Sequence, residues 1–405
     1  MRGVPKGVVC IVRTRFSIKK PLRSPMYLNI SLTSKALFHS YLGEPFRLRR
    51  WLITAFFLLL LSSFWVIVAF GRALDHVFFP GFQRQEIRRP VFIIAPPRSG
   101  TTFLQKLLAR NREVFAPVLM YQTIFPSITI QKIILAVAGL SRKRDGFLGL
   151  LVTWIERRFF SGWDNMHKMR LAQPEEDDGF FVYTFVTEAI YLLFPYVRLL
   201  WGAGFADDLP EPQQRRLMRY YRSCLQRHLY LHGKSKILLS KATQLSGSIA
   251  CLRKEFPDAR IINILRNPAE SIASHVSVFY PVWKWVEPKL AKKSQASLEY
   301  AELAAAWFRH LEEKDSRADR NRYLRIRYRD LVSKPGETVR SIYRHFRIPL
   351  SPRASAAITR AARQSLEYKS THRYSLREFG LSADWLRHQL GPMMKKHGFT
   401  VSPRR

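Results

Sequence analysis

Val91-Phe92-Ile93-Ile94-Ala95-Pro96-Pro97-Arg98-Ser99-Gly100-Thr101-Thr102 is the stretch on which the fold of this chain turns. Five apolar residues predict a buried strand over 91–95. A Pro-Pro turn and a glycine follow, and Phe103-Leu104-Gln105-Lys106-Leu107-Leu108 then has the spacing of a helix. Strand, tight turn and helix start in that order make an anion site, because the turn's N–H groups and the positive end of the helix point the same way. The hydroxyls of Thr101 and Thr102 and the guanidinium of Arg98 add side-chain donors. The ATP loop with Gly four residues before Gly-Lys-Ser/Thr is excluded: Ala stands at 95, and Thr101 follows Gly100 where the lysine belongs.

A second element of the same kind lies at Ile261-Ile262-Asn263-Ile264-Leu265-Arg266-Asn267-Pro268. Phe256-Pro257-Asp258-Ala259 reads as a turn, 261–265 as a buried strand, and Pro268 as a helix start. Arg266 leaves the strand end, and Ser274 lies about two turns into the helix. Further strands are predicted at 236–240 and 323–328. Helices are predicted at 101–111, 174–194, 211–231, 245–255, 269–279, 296–313 and 336–346. Such alternation predicts an α/β fold, a central parallel sheet with helices on both faces, and a ligand at the carboxyl ends of the strands.

The loop Pro97-Arg98-Ser99-Gly100-Thr101-Thr102 resembles the 5′-phosphosulfate loop of the sulfotransferase family. Pro268-Ala269-Glu270-Ser271-Ile272 resembles a bacterial, membrane-anchored branch of it, and Tyr328-Arg329-Asp330-Leu331-Val332 adds to a likeness covering about residues 89–400. The resemblance implies a P-loop-like three-layer fold and the cofactor 3′-phosphoadenosine-5′-phosphosulfate (PAPS). It implies that Arg98, Ser99, Gly100, Thr101 and Thr102 hold the 5′ end, and that Arg266 and Ser274 hold the 3′-phosphate. Arg98 stands where relatives stabilise the leaving oxygen. Lys241 stands where relatives often carry a lysine that can reach the sulfuryl oxygens.

The family's usual bases are missing. Thr243 occupies the position of a common histidine, and 116–126 holds no Glu, Asp or His. Two candidates remain for taking the acceptor's proton. One is the acid cluster Pro174-Glu175-Glu176-Asp177-Asp178, like a motif of bacterial relatives, with Glu176 as the chosen residue. The other is His167. The same acids also suit a helix N-terminus.

The chain has 405 residues, 47% of them hydrophobic, and 67 basic against 30 acidic side chains give +37. That field attracts anions such as membrane phospholipid. Nucleic acid is not expected, since no motif for it appears. No metal site is expected: Cys10, Cys224 and Cys251 stand far apart, and neither CxxC nor HExxH occurs. A Cys224–Cys251 bridge stays open. Residues 51–70, WLITAFFLLLLSSFWVIVAF, are uncharged and long enough to cross a bilayer. Arg47, Arg49, Arg50 and Arg72 frame them.

The organisation read from this is a basic flexible tail over 1–50, a transmembrane helix over 51–70, an amphipathic link over 71–88, and a catalytic domain over 89–400. Residues 112–170, with Arg142, Lys143, Arg144, Arg157 and Arg158, are expected to be helical and to face the acceptor or the membrane. Flanking charge is balanced, so it leaves orientation undecided. The sole sequon, Asn29-Ile30-Ser31, precedes the apolar run, which, with the bacterial likeness, places the domain at the cytoplasmic face as a single-pass or monotopic protein. The function expected is sulfuryl transfer to a hydroxyl or amine of a lipid, glycolipid or carbohydrate. The alternatives are a P-loop-type kinase and a non-catalytic basic membrane protein of the same fold.

Overall fold

A computed structural model of the chain describes residues 26–43, 47–143, 154, 171–315, 319–366 and 375–401. His167, Arg144, Arg157 and Arg158 lie outside them. Five parallel strands form one sheet among the described residues: β1 (Val91–Ile94), β2 (Phe115–Pro117), β3 (Ile237–Lys241), β4 (Arg260–Leu265) and β5 (Tyr323–Arg327), in the order β2-β3-β1-β4-β5. Val91 pairs with Leu239 on one side and Arg260 on the other. From β1 the chain runs to the edge strand β2, returns to β3 beside β1, and then crosses to β4 and outward to β5, so strands on both sides of β1 send their connections away from its carboxyl end and open a crevice there.

Side chains of β1 alternate between two apolar cores. Phe92 and Ile94 enter one, Val91 and Ile93 the other, as the two-residue period of a strand requires. Both faces are buried, so these strands read as unbroken apolar runs. The predicted strands all form, within a residue or two. β2 went unread because it has three residues, ends in proline and lies at the edge, where a missing N–H is tolerated.

The helices used below are α1 (Ile30–Phe38), α2 (Leu48–Phe78), α3 (Thr101–Leu108), α4 (Ile128–Lys143), α5 (Glu211–His232), α6 (Pro268–Val286) and α7 (Gln295–Asp315). Three expectations need correction. The predicted helix over 174–194 is instead two 3₁₀ segments, Asp177–Thr184 and Glu188–Leu192, parted at Phe185, whose φ is 62°. The tail over 1–50 is not structureless throughout. Asn29 caps α1, and Leu32 and Ala36 are buried in the main core. There is also no boundary at 70, because the apolar run and the first half of the link are one helix of 31 residues, α2. Among the described residues α2 is the one helix long and apolar enough to cross a membrane. Cys224 and Cys251 are both free and buried, which closes the question of a bridge.

Candidate active site

The loop 96–102 is folded by its own residues and clamped from the end of β4. Gly100 has φ 88°, and a Cβ there would sit 2.9 Å from the Tyr328 ring, so only glycine fits. Arg98 also lies in the left-handed region, at φ 64°, a strained conformation of the kind found where a loop is shaped for a ligand. The first turns of α6 hold the loop in place. Ser271 Oγ donates to the Pro97 carbonyl at 2.6 Å, and Arg98 Nε donates to Ser274 Oγ at 3.0 Å. Arg266 donates to the Arg98 carbonyl, pairs with Glu270 at 3.1 Å and lies over the Tyr328 ring at 4.2 Å. Arg98 and Arg266, 168 residues apart in sequence, thus lie on one surface.

On the other side of the loop sits Lys241, the last residue of β3 and fully buried. Its ammonium meets Thr102 Oγ1 at 3.0 Å, Glu175 Oε1 at 3.3 Å and Glu176 Oε1 at 2.9 Å. Three donors therefore have three oxygens. Burial works against its charge, and the carboxylates of Glu176 and Glu175 outweigh it, so its pKa is raised. Thr243 donates to Glu176 Oε2 at 3.1 Å. The threonine in the histidine's place holds the carboxylate from its other oxygen. The acid pair is tied to the sheet by Glu175 N–H to the Val118 carbonyl at 3.0 Å, just past β2. It is tied to α3 by Gln105 Nε2 to the Glu175 carbonyl at 3.1 Å.

Behind the pair, Asp177 is buried and accepts from Tyr221 at 2.6 Å and Ser240 at 2.9 Å. Burial pushes its pKa up to about 6 in spite of those bonds. Burial and the charges of Glu176 and Glu188 hold Asp178 well above the usual carboxylate range. Carboxylate oxygens of Glu176, Asp178 and Glu188 lie within 4.8 Å of one another. Glu188 accepts from Tyr300 at 3.2 Å and faces His275 Nε2 at 3.4 Å.

The structure thus brings together every site residue picked from the sequence that it describes: the loop 98–102, Arg266 and Ser274 on one flank, Lys241 and Glu176 on the other. It differs in one detail, since Arg98 turns toward Ser274. Sequence reasoning missed Thr243 as the holder of Glu176, and Glu188, His275, Tyr300 and Tyr328 as walls. For His275 the signal was its place beside Ser274; Glu188 and Tyr300 carry none without the fold.

A sequence profile of the sulfotransferase family matches residues 90–352, which include both anion elements and the acid pair. The chain belongs to the sulfotransferase family. Within it, carbohydrate sulfotransferase 3 of Rattus norvegicus is 30% identical over 132 residues, 30% of this chain and 28% of that protein's length. The fold is shared with the sulfotransferase STF1 of Mycobacterium tuberculosis (TM-score 0.66, 18% identity, 88% of this chain and 91% of that one). It is shared too with STF9 of Mycobacterium avium (TM-score 0.67, 19% identity, 83% of each). At the carboxyl ends of β1, β3 and β4 lie the glycine turn 98–102, Lys241 with Glu175 and Glu176, and Arg266, side by side.

Proposed function

We propose that this sulfotransferase uses PAPS and an acceptor hydroxyl or amine on a lipid, glycolipid or carbohydrate, with its catalytic domain at the cytoplasmic face. The observation that carries the reading is the chain of contacts Thr102–Lys241–Glu176, which sets a carboxylate one lysine away from the phosphate loop. The residues suit a nucleotide with anions at both ends. Ser99 Oγ is buried without a hydrogen-bond partner, Gly100 leaves no room for a Cβ, and the first turn of α3 has N–H groups that the helix itself does not use.

When bound, PAPS supplies the sulfuryl group. Ser99, Gly100, Thr101 and Thr102 bind its 5′ end by backbone and hydroxyl donors; Arg266 and Ser274 bind the 3′-phosphate. Arg98 and Lys241 furnish positive charge beside the loop. Glu176 takes the acceptor's proton onto a carboxylate oxygen. The ammonium at 2.9 Å and the Thr243 hydroxyl fix its orientation. Lys241 is then a positioning residue as well as a charge.

The test is transfer of ³⁵S from labelled PAPS to extracted lipids and glycans of the source cell, run with the wild type and Glu176→Gln. Wild-type labelling of one acceptor class is expected, with a loss of roughly 10²–10⁴-fold in the variant at unchanged binding of the product nucleotide, 3′-phosphoadenosine-5′-phosphate (PAP). Full activity in the variant removes Glu176 as the base. No labelling by the wild type, with PAP still bound, favours the non-catalytic protein. Equal thermal protection by MgATP and PAP favours the kinase.

A further inference from the structure

We infer that α2 lies flat in one leaflet of an anionic bilayer and does not cross it. The inference rests on how the helix is held and is independent of the chemistry proposed above. Thr54, Leu58, Leu61, Trp65, Val68, Arg72 and Asp75 are the buried or half-buried positions of a stripe whose steps alternate between four and three residues. That is the spacing of one helix face packed along its length. The partners belong to one globular body from end to end. Near the first turn, Arg47 pairs with Glu287, and Arg49 donates to the Trp285 carbonyl at 3.0 Å. In the middle, Leu58, Leu61, Phe64 and Trp65 pack on the main core, with Phe64 5.7 Å from Phe125. At the far end Arg72 donates to Ser223 at 3.1 Å, and Asp75 pairs with Arg227 at 2.7 Å.

From residue 47 to residue 75 the helix covers about 42 Å at 1.5 Å per residue. A bilayer core is about 30 Å thick. A crossing helix would put Glu287 and Arg227 of the same domain on opposite sides of the membrane, or pull charged elements into hydrocarbon.

The opposite stripe is what the described residues leave uncovered. Leu52, Phe56, Leu59, Leu60, Val66, Ile67 and Phe70 are exposed, and no charged residue occurs between Trp51 and Phe70. α4 adds further exposed apolar side chains. It meets α2 so closely that a Cβ on Gly71 would lie 2.5 Å from Ile130, and it exposes Ile133, Leu135 and Val137. Exposed Trp285, with Lys284 beside it, sits next to Phe57 on the rim. An amphipathic helix of this shape sinks about 5–10 Å into a headgroup boundary. An anionic leaflet complements a chain of charge +37, whereas two copies of the chain repel each other.

The experiment uses the full chain with Cys10→Ser, Cys224 and Cys251 being buried. Single cysteines replace Leu52, Phe56, Ser63 and Phe70 on the free stripe, and Leu58 and Leu61 on the docked stripe. Each variant carries an environment-sensitive fluorophore and is bound to phosphatidylglycerol/phosphatidylcholine vesicles with nitroxides at shallow or deep positions. The expected result is shallow quenching of similar strength at all four free-stripe positions and little at the docked ones. Binding should fall by roughly tenfold or more without phosphatidylglycerol. Quenching that deepens toward residue 60 and fades at both ends, on both stripes, means a crossing helix and overturns the inference. Equal binding to neutral vesicles overturns the anionic part. No quenching together with a dimer in sedimentation means that a second copy covers the face, which overturns it as well.

Discussion

Arg266 carries several contacts at once, and this shapes what its removal does. Its side chain holds the Arg98 carbonyl, Glu270 and the Tyr328 ring. Arg266→Ala should weaken PAP more than adenosine 5′-phosphate, because a residue gripping the 3′-phosphate loses only what that phosphate gave. A charge-assisted bond of about 1.5–3 kcal/mol is about ten- to a hundredfold in affinity. Thr101→Ala should weaken both nucleotides alike. Titration of each variant with both ligands decides; an equal loss for Arg266→Ala makes that arginine a brace of the loop and nothing more. Asp177 gives a pH test. Its folded pKa of about 6 lies above the ordinary 3.8 of an aspartate, so the folded state takes up the proton more readily than the unfolded chain. Its share of stability is complete below about pH 4 and is lost as pH rises through 6. The loss is about two pK units, on the order of 3 kcal/mol. Asp177→Asn does not titrate. Subtracting its denaturant-unfolding free energy from that of the wild type should therefore leave a difference that falls between pH 4 and 7. A flat difference would mean the carboxyl stays ionised in the folded protein. The loop 98–102 was legible because its residues act locally, through turn and helix start. Thr243 was not, because its use depends on β3 bringing it beside a segment 67 residues away.

Elements are joined in this protein by buried charge more than the sequence suggests. Asp75, in the last turns of α2, accepts from Ser127 Oγ, Ile128 N–H and Thr129 N–H, and so caps α4 from outside its own chain segment. The same carboxylate pairs with Arg227 of α5, both side chains being essentially without exposure. Burial and the charge of Arg72 pull the Arg227 pKa down to about 9, so this guanidinium depends on Asp75. Asp75→Ala should cost about 3–5 kcal/mol, since it leaves buried positive charge unpaired and α4 uncapped. Adding Arg227→Met should recover part of the loss, and thermal melts of the single and double variants measure both. A single-variant cost below about 1 kcal/mol would show that water or another anion compensates. The sheet was readable from sequence because strands buried on both faces are plain apolar runs. The attachment of α2 was hidden for the same reason. When almost every residue from 51 to 70 is apolar, the stripe that packs and the stripe that does not look alike. Only Thr54, Arg72 and Asp75 mark the packed side, and Arg72 reads more naturally as a membrane flank.

At the scale of the whole molecule, the N-terminal segment changes from an appendage into a part of the fold. A domain starting at residue 89 would still carry all five strands, both anion elements and the acid pair. It would lose Leu32, Ala36, Val68 and Phe82 from the core, and with them Asp75, so that Arg227 loses both the carboxylate that pairs with it and the Phe82 ring that covers it. Each large aliphatic or aromatic side chain removed from a packed interior costs about 2–5 kcal/mol, against a total stability of about 5–15 kcal/mol. Arg72 and Asp75 cover α5 at Ser223 and Arg227, and the same helix carries Tyr221, which holds Asp177 next to Glu176, so loss of stability and loss of the site go together. Deleting residues 1–88 should therefore yield a protein that aggregates or melts far below the full chain and shows little protection by PAP. A helix that merely tethered a self-sufficient domain would behave in the opposite way. Thermal melts of both forms with and without PAP, the full chain in mild detergent, separate the two. If the truncated form melts within a few degrees of the full chain and gains the same protection, the contacts along α2 are adventitious, and the view of α2 as an integral layer fails with them.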